Sequence, residues 1–399
     1  MDHPTVRPQR PHDRKAQLAA VAAELFRARG YHGVGINDLA AAAGITGPAL
    51  YRHFADKQAI LAYVVLSGID DMEAATAEAL AGVEVPVPEQ ISALLSALAA
   101  EAVDRREVAA LWRWEGKHLP KEDQREIRRR SSAVLGAWTK ALQSQRPELA
   151  TADAELLCWA GLSVFGSVSV HHTTVAKRRF GQLLVQLALR VLHAALPVAQ
   201  EVAPVTPPSS SLGTPSRREQ LLAAATDLFG RRGFHAVSME DIGAAAGISG
   251  PSVYRHFPSK AALMVAIGHR AADRLALGAE YALRTSAPID EREALRGLAT
   301  SYVQTLMRTP ELSVAFSGDP VTMPERDKAE LLRVQRDYVA QWVQLLSAVH
   351  PDLNAREAKI TVHAALTIAN DLTRTRRVSS RPHLETELCA LMTAVLGLA

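Results

Sequence analysis

The chain has 399 residues, 48% of them hydrophobic, which is enough for two or more domains with cores of their own. A formal net charge of +3 is too small to mark a nucleic-acid binder by itself, and 5% aromatic residues amid abundant Ala, Leu, Arg and Val favours helix over sheet. Two cysteines, Cys158 and Cys389, stand far apart with no metal-ligand spacing, which argues against a disulfide framework or zinc finger and for a reducing compartment. No signal-peptide pattern and no apolar run of bilayer length is read, so a cytoplasmic chain is expected.

Residues 1–12 are polar, with Arg7, Arg10 and three prolines, and read as a disordered basic arm. An ordinary ragged terminus and a DNA-contacting arm both fit it. Over residues 13–29, Leu18, Val21, Ala22, Leu25 and Phe26 recur at helical spacing, Arg27 and Arg29 suit the last turn, and Gly30 stops the helix. Residues 31–35 are a turn and 36–43 a short second helix ended by Gly44. Thr46 is placed to cap a third helix with Pro48 near its first position. Asp56 or a neighbour starts a fourth helix through Lys57, Ile60, Leu61, Val64 and Val65. Further helices are expected at 89–105, 107–118, 121–145, 151–173 and 177–195.

Residues 197–215 hold five prolines and a Ser209-Ser210-Ser211 run, the strongest linker in the sequence. Then the plan restarts. Gly247-Ile248-Ser249-Gly250-Pro251-Ser252-Val253-Tyr254-Arg255-His256-Phe257 repeats Gly44-Ile45-Thr46-Gly47-Pro48-Ala49-Leu50-Tyr51-Arg52-His53-Phe54 at a constant offset. Leu228-Phe229 answers Leu25-Phe26, Gly233 answers Gly30 and Lys260 answers Lys57. Ser238 with Asp241 forms a capping-box-like start where the first half has the poorer cap Gly35. Further on, Trp342 answers Trp138, and Pro351-Asp352-Leu353 answers Pro147-Glu148-Leu149 one residue out of step. Two copies at this spacing are an internal duplication of a whole helical domain, not a solenoid.

The repeated stretch meets the needs of a helix-turn-helix: a support helix, a tight turn, and a second helix whose exposed face can enter the major groove. Gly44 and Gly247 permit the turn. Thr46 or Ser249, with the exposed N–H groups beside them, suits a phosphate. Tyr51 and His53 can meet the backbone or a base edge, and Arg52 can read guanine or pair with phosphate. Lys57 and Lys260 are expected to neutralise phosphates. Leu50, Val253, Phe54 and Phe257 read as core. Tyr51 has a second reading, as a wedge against the first helix.

Gly30-Tyr31-His32, then Ile36-Asn37-Asp38-Leu39-Ala40, Ala43-Gly44-Ile45, Leu50-Tyr51-Arg52-His53-Phe54 and Lys57 resemble the DNA-binding domain of tetracycline-repressor-like (TetR family) regulators. Gly233-Phe234-His235, Met239-Glu240-Asp241-Ile242, Gly247-Ile248 and Val253 to Lys260 resemble it at least as well. The resemblance covers about the first fifty ordered residues of each half. It implies an all-α fold of two fused units, each a three-helix DNA-binding domain plus a larger helical effector and dimerisation domain. The expected divisions are 13–58 and 59–196 for the first unit, the linker 197–215, then 216–261 and 262–399. By position, the DNA-facing set is Thr46, Gly47, Pro48, Ala49, Tyr51, Arg52, His53 and Lys57, with Ser249, Gly250, Pro251, Ser252, Tyr254, Arg255, His256 and Lys260. The implied partner is a double-stranded operator, and the implied activity is that of a ligand-responsive repressor.

The fusion departs from the family's usual single unit. The halves are expected to pair as an intramolecular pseudo-dimer through helices near 151–195 and 354–397, with reading helices about one DNA turn apart on an imperfect palindrome. A homodimer of whole chains with four heads is the alternative, as is an activator or a partner-controlled regulator. Trp112, Trp114 and Trp138 are candidate lining for a small apolar or aromatic effector, against a plain core role. His118 and His171-His172 lack ligand spacing, so no metal is expected and no cofactor is assigned. No nucleophile elbow, phosphate loop or metal cluster supports an enzyme.

Overall fold

The computed structural model describes residues 11–81, 86–197, 215–285, 290–317 and 323–398. The expected arm at 1–12 and linker at 197–215 lie largely outside them. The described residues hold helices and no strand. They divide into two compact units, one of residues 11–151 with 168–170 and the other of 152–167 with 171–398.

The first unit contains α1 (Pro11–Arg29), α2 (Ile36–Ala42), α3 (Gly47–Tyr51), α4 (Lys57–Leu80), α5 (Val87–Asp104), α6 (Arg106–Glu115) and α7 (Lys121–Gln145). Phe26 of α1, Leu39 of α2, Leu50 of α3 and Ile60, Leu61, Val64 and Val65 of α4 meet in one core, joined by Leu111 and Ile127 from α6 and α7. The apolar positions of α1 and α4 recur every three or four residues, so a single stripe of each helix is buried there. Asp56 caps α4 by accepting from the Ala59 N–H at 2.7 Å.

The second unit contains α8 (Thr151–Gly166), α9 (Lys177–Leu192), α10 (Arg217–Arg232), α11 (Met239–Ala245), α12 (Gly250–Val253), α13 (Lys260–Thr285), α14 (Glu291–Arg308), α15 (Pro310–Ser317), α16 (Glu325–Val349), α17 (Ala355–Arg374) and α18 (Leu384–Val395). Its helix-turn-helix core repeats the first, with Phe229, Ile242, Val253, Phe257, Leu263 and Ile267, and adds Val314 of α15. The division does not follow the repeat: α8 and α9, which belong to the first half by sequence, lie in the same unit as α17 and α18. α9 packs against both of these helices, and Leu184, Leu187, Val191, Leu388, Leu391 and Val395 are fully buried.

Helix ends depart from the sequence reading for local reasons. α5 starts at Val87 because Pro88 sits in its first turn, where a missing N–H costs nothing. α8 stops at Gly166 and continues as a tighter turn at Ser167–Val170. There the Ser167 hydroxyl donates to the Val164 carbonyl at 2.6 Å, competing with the helical ladder. The sequence reading found no apolar run of bilayer length, yet Thr151–Val170 is long and apolar enough to cross a membrane by length and composition. The correction has a simple cause. Leu156, Leu157, Ala160 and Val164 of α8 are fully buried, so the apolarity is that of a core helix.

Candidate nucleic-acid interface

In each half the turn between the support helix and the reading helix is built from the same backbone bonds. Gly44 and Gly247 adopt φ of +65° and +70°, the left-handed region that favours glycine. The Ile45 N–H donates to the Ala40 carbonyl at 2.9 Å and the Gly44 N–H to Ala41 at 3.1 Å. Ile248 and Gly247 do the same to Gly243 and Ala244 at 2.9 and 3.1 Å. This pair of bonds closes the C-terminus of the support helix, and Ile45 and Ile248 pack on the cores beside it.

The reading helices α3 and α12 are short, and their two faces separate cleanly. Leu50, Phe54, Val253 and Phe257 are buried, as their spacing requires. Tyr51 is 53% exposed and Tyr254 50% exposed. These are large apolar rings left in water, and they settle Tyr51's orientation as outward, not wedged against α1. Arg52, Arg255 and His256 are exposed and His53 half-buried. Thr46, Pro48, Ser249 and Pro251 are exposed, and Gly47, Ala49, Gly250 and Ser252 are half-buried on the same turns.

One expectation is corrected by the geometry, the cap of the third helix by Thr46. Thr46 and Ser249 occupy the N-cap positions in extended backbone, but neither hydroxyl makes the capping bond; the Ser249 hydroxyl lies 2.8 Å from that of Ser252. Lys57 and Lys260 are held by backbone carbonyls. Lys57 Nζ donates to the Tyr31 and Val34 carbonyls at 2.8 and 2.9 Å and sits 4.1 Å from the centre of the Tyr31 ring. Lys260 Nζ donates to Phe234 and Val237 at 2.7 Å each, 4.4 Å from the Phe234 ring. Both lysines tie the first turn of the fourth helix to the turn before the support helix. Burial pushes the Lys260 ammonium below its usual value.

Asn37 and Glu240 were not in the expected set. Both are exposed residues in the first turn of the support helix. A Cβ built on Gly47 would lie 3.5 Å from Asn37 Oδ1; one built on Gly250 would lie 3.1 Å from Glu240 Cγ and 3.4 Å from Oε1. Each side chain therefore runs beside the N-terminus of the reading helix. The sequence held a signal for them. Between Ile36 and Phe54 and its counterpart Met239 to Phe257, this is the one position at which formal charge differs.

The fourth helix of the first half is bound to the larger helices behind it. Arg130 of α7 donates to Glu73 at 2.9 and 2.6 Å and to Asp70 at 2.5 Å, all on α4. Its hydrogen bond holds the Glu73 carboxyl below the usual range. Arg105 binds Asp71 and also Ser67, the latter at 2.9 Å. Trp138 is 6% exposed, and its indole N–H donates to Thr76 of α4 at 2.8 Å. It is a core side chain tied to α4. Trp112 and Trp114, named with it as effector lining, lie outside the residues whose side chains are described. In the second half, Arg270 and Arg274 of α13 meet Glu311 of α15 at 3.8 and 3.2 Å, and Arg270 meets Glu219 of α10 at 2.7 Å.

Residues 18–64 and 221–267 each match the family model for bacterial regulatory proteins of the tetR family. The transcriptional activator FasR of Mycolicibacterium smegmatis is 32% identical over 167 residues, 42% of this chain and 74% of that protein. The transcriptional repressor KstR2 of Rhodococcus jostii is 34% identical over 104 residues, 26% of this chain and 50% of that protein. A solved tetR-family regulatory protein from Rhodococcus, 24% identical, covers 45% of this chain and 96% of its own with a TM-score of 0.40.

Proposed function

The chain belongs to the tetR family of bacterial regulators, DNA-binding transcription factors and not enzymes, and carries the family's helix-turn-helix twice; on that premise we propose that it is a ligand-responsive repressor whose halves pair within one molecule on an imperfectly palindromic operator. The DNA-facing set is Thr46, Gly47, Pro48, Ala49, Tyr51, Arg52 and His53, with Ser249, Gly250, Pro251, Ser252, Tyr254, Arg255 and His256. Lys57 and Lys260 hold the heads in shape.

The observation that carries the pairing is a reciprocal set of ion pairs. In a two-fold interface, residue i of one partner meets j of the other, and j meets i. Arg179 in the first turn of α9 meets Glu357 in the first turn of α17 at 2.5 Å. Arg381, just before α18, meets Asp153 in the first turn of α8 at 2.5 Å. α8 and α17 are matching helices of the two halves, as are α9 and α18; the carboxylates match at an offset of 204 residues (357 − 153) and the arginines at 202 (381 − 179), so the two contacts correspond under the repeat to within two residues. The mass of the free chain in solution tests this reading. One chain of 43.1 kDa binding one operator duplex is expected; an obligate dimer of whole chains on one operator would overturn it.

Ligand control is supported by the three ties on α4. A small apolar molecule that shifts α7 acts on Arg130 and Trp138 together, and α4 passes the shift through Lys57 to the turn ahead of α2. A second reading, that the chain activates, is supported by the likeness to FasR, which is named an activator. Transcript levels at the bound promoter with and without the gene separate the two. Higher transcription in the deletion is expected of the repressor, and lower transcription of the activator.

A further inference from the structure

We propose that Asn37 and Glu240 read one base pair each, and that this position makes the two half-sites of the operator different. The inference rests on the reading of one head per half-site. In a helix-turn-helix the N-terminal residues of the reading helix contact base edges. Asn37 and Glu240 run alongside that N-terminus, against Gly47 and Gly250. In the second head glycine helps the approach, because a Cβ on Gly250 would press on Glu240 Cγ at 3.1 Å; in the first, a Cβ on Gly47 would meet Asn37 at an ordinary contact distance of 3.5 Å.

The neighbouring acids are tied down and these two side chains are not. Asp38 accepts from the Gly35 N–H at 2.8 Å. Asp241 accepts from the Ser238 N–H and hydroxyl at 2.9 Å each. Among the described residues, neither the Asn37 nor the Glu240 side chain is engaged in a hydrogen bond. Most of the outward set is shared by the two heads: Pro, Tyr, Arg and His recur at the same places, and Thr46 is answered by Ser249, another hydroxyl. Ala49 is exchanged for Ser252, whose hydroxyl is paired with that of Ser249.

The chemistry of the pair differs in kind. An asparagine amide both donates and accepts, and matches the N6 and N7 edge of adenine in the major groove. A carboxylate only accepts, and matches the N4 amino group of cytosine. It is repelled by the O6 and N7 acceptors of guanine and by phosphate. An acid beside a DNA-reading helix weakens binding in general, so it discriminates against every base edge that gives it nothing to accept. The structure thus assigns A·T opposite Asn37 and C·G opposite Glu240 at otherwise matching positions.

Selection of bound duplexes from a randomised pool, using the whole chain at one stated salt concentration, tests this with two exposed-site variants. The wild-type chain is expected to select half-sites that differ at one base pair. Glu240→Asn should turn the second half-site into a copy of the first, with a preference change of roughly tenfold or more at that base pair. Asn37→Glu should do the reverse. Selected sites that stay unchanged in both variants would overturn the assignment. So would a Glu240→Asn chain that binds every duplex more tightly by the same factor, since Glu240 would then act through charge alone. Failure of the pairing reading looks different: the wild-type chain selects a symmetric site, and one variant alters both halves of it at once while the other alters neither. The base assignment then stands for the residue that responds.

Discussion

An ammonium that donates to two carbonyl oxygens and lies over an aromatic ring has little left to offer a phosphate. Lys57→Met should therefore act on folding more than on DNA. The carbonyls of half-buried Tyr31 and buried Val34 lose their donor, and the first unit is expected to lose about 1–3 kcal/mol in denaturant melts. The salt dependence of operator binding should keep its slope, where loss of a true phosphate contact would lower it by about one. The outward tyrosines predict the opposite pattern. Tyr51→Ala and Tyr254→Ala remove rings that are half exposed, so stability should change by less than about 0.5 kcal/mol. Each should weaken protection of one half-site in footprinting; equal loss at both would contradict the assignment of one head to each. The exposure of these tyrosines was legible in the sequence because Leu50 and Phe54 fix the buried face. The carbonyl partners of the lysines were not legible, because nothing in their spacing shows where the carbonyls of a distant turn will lie.

At the scale of the elements, the first turns of α8 and α17 and the starts of α9 and α18 carry the contacts that join the halves. Arg381 is 16% exposed as a side chain; it pairs with Asp153 and with Glu387, itself 7% exposed. Removing one member of such a buried set leaves a charge without its partner. Arg381→Met is expected to destabilise the second unit by about 3–5 kcal/mol in urea. Replacing Glu387 by Leu in the same chain should restore most of that loss, because the buried charge is then gone and Asp153, 34% exposed, is partly solvated. Arg179 is 41% exposed although its partner Glu357 is 5% exposed; solvent screens the guanidinium and the Asn354 N–H still donates to the carboxylate at 3.2 Å, so Arg179→Met should cost less. An equal cost for the two arginines would show that burial does not set the difference. The sequence located α8 and α9, the latter by its apolar stripe, and placed helices near 354–397 by the repeat, but the ion pairs join residues about half the chain apart, and no local pattern encodes them.

For the whole molecule, acid is the condition that weakens the second unit. Burial, and next the nearby Lys359 charge, lowers His363 to about 4; its ring lies 4.9 Å from that of His171. A histidine depressed in the folded state favours protonation of the unfolded chain. Stability is therefore fully present above pH 6.5 and falls as pH drops from 6.5 towards 4, by roughly 3 kcal/mol for this group. Below that, Glu357 adds its own loss. Its carboxyl is held under the usual 4.5 chiefly by the Arg179 hydrogen bond, so its contribution is present above 4.5 and disappears as pH falls through the lowered value. Thermal melts of the second unit across pH 4–7 should show the decline, and His363→Leu should flatten it between 6.5 and 4. A slope unchanged by that substitution would rule out His363 as its source.

What the sequence determined by itself is the number of units, their helical class and the outward residues of each reading head. Those follow from short-range facts: a 3.6-residue period, a glycine at each turn, a proline at each first turn, and one stretch written twice. What only the tertiary structure decided is which groups those residues meet. Lys57 is engaged by a turn more than twenty residues earlier, α8 and α9 lie in one unit with α17 and α18, and Asn37 and Glu240 stand beside glycines on the next helix. The reason is physical. Helix period and capping are set by neighbours in the chain, whereas hydrogen bonds, ion pairs and close approaches depend on distances that exist only after the helices have packed.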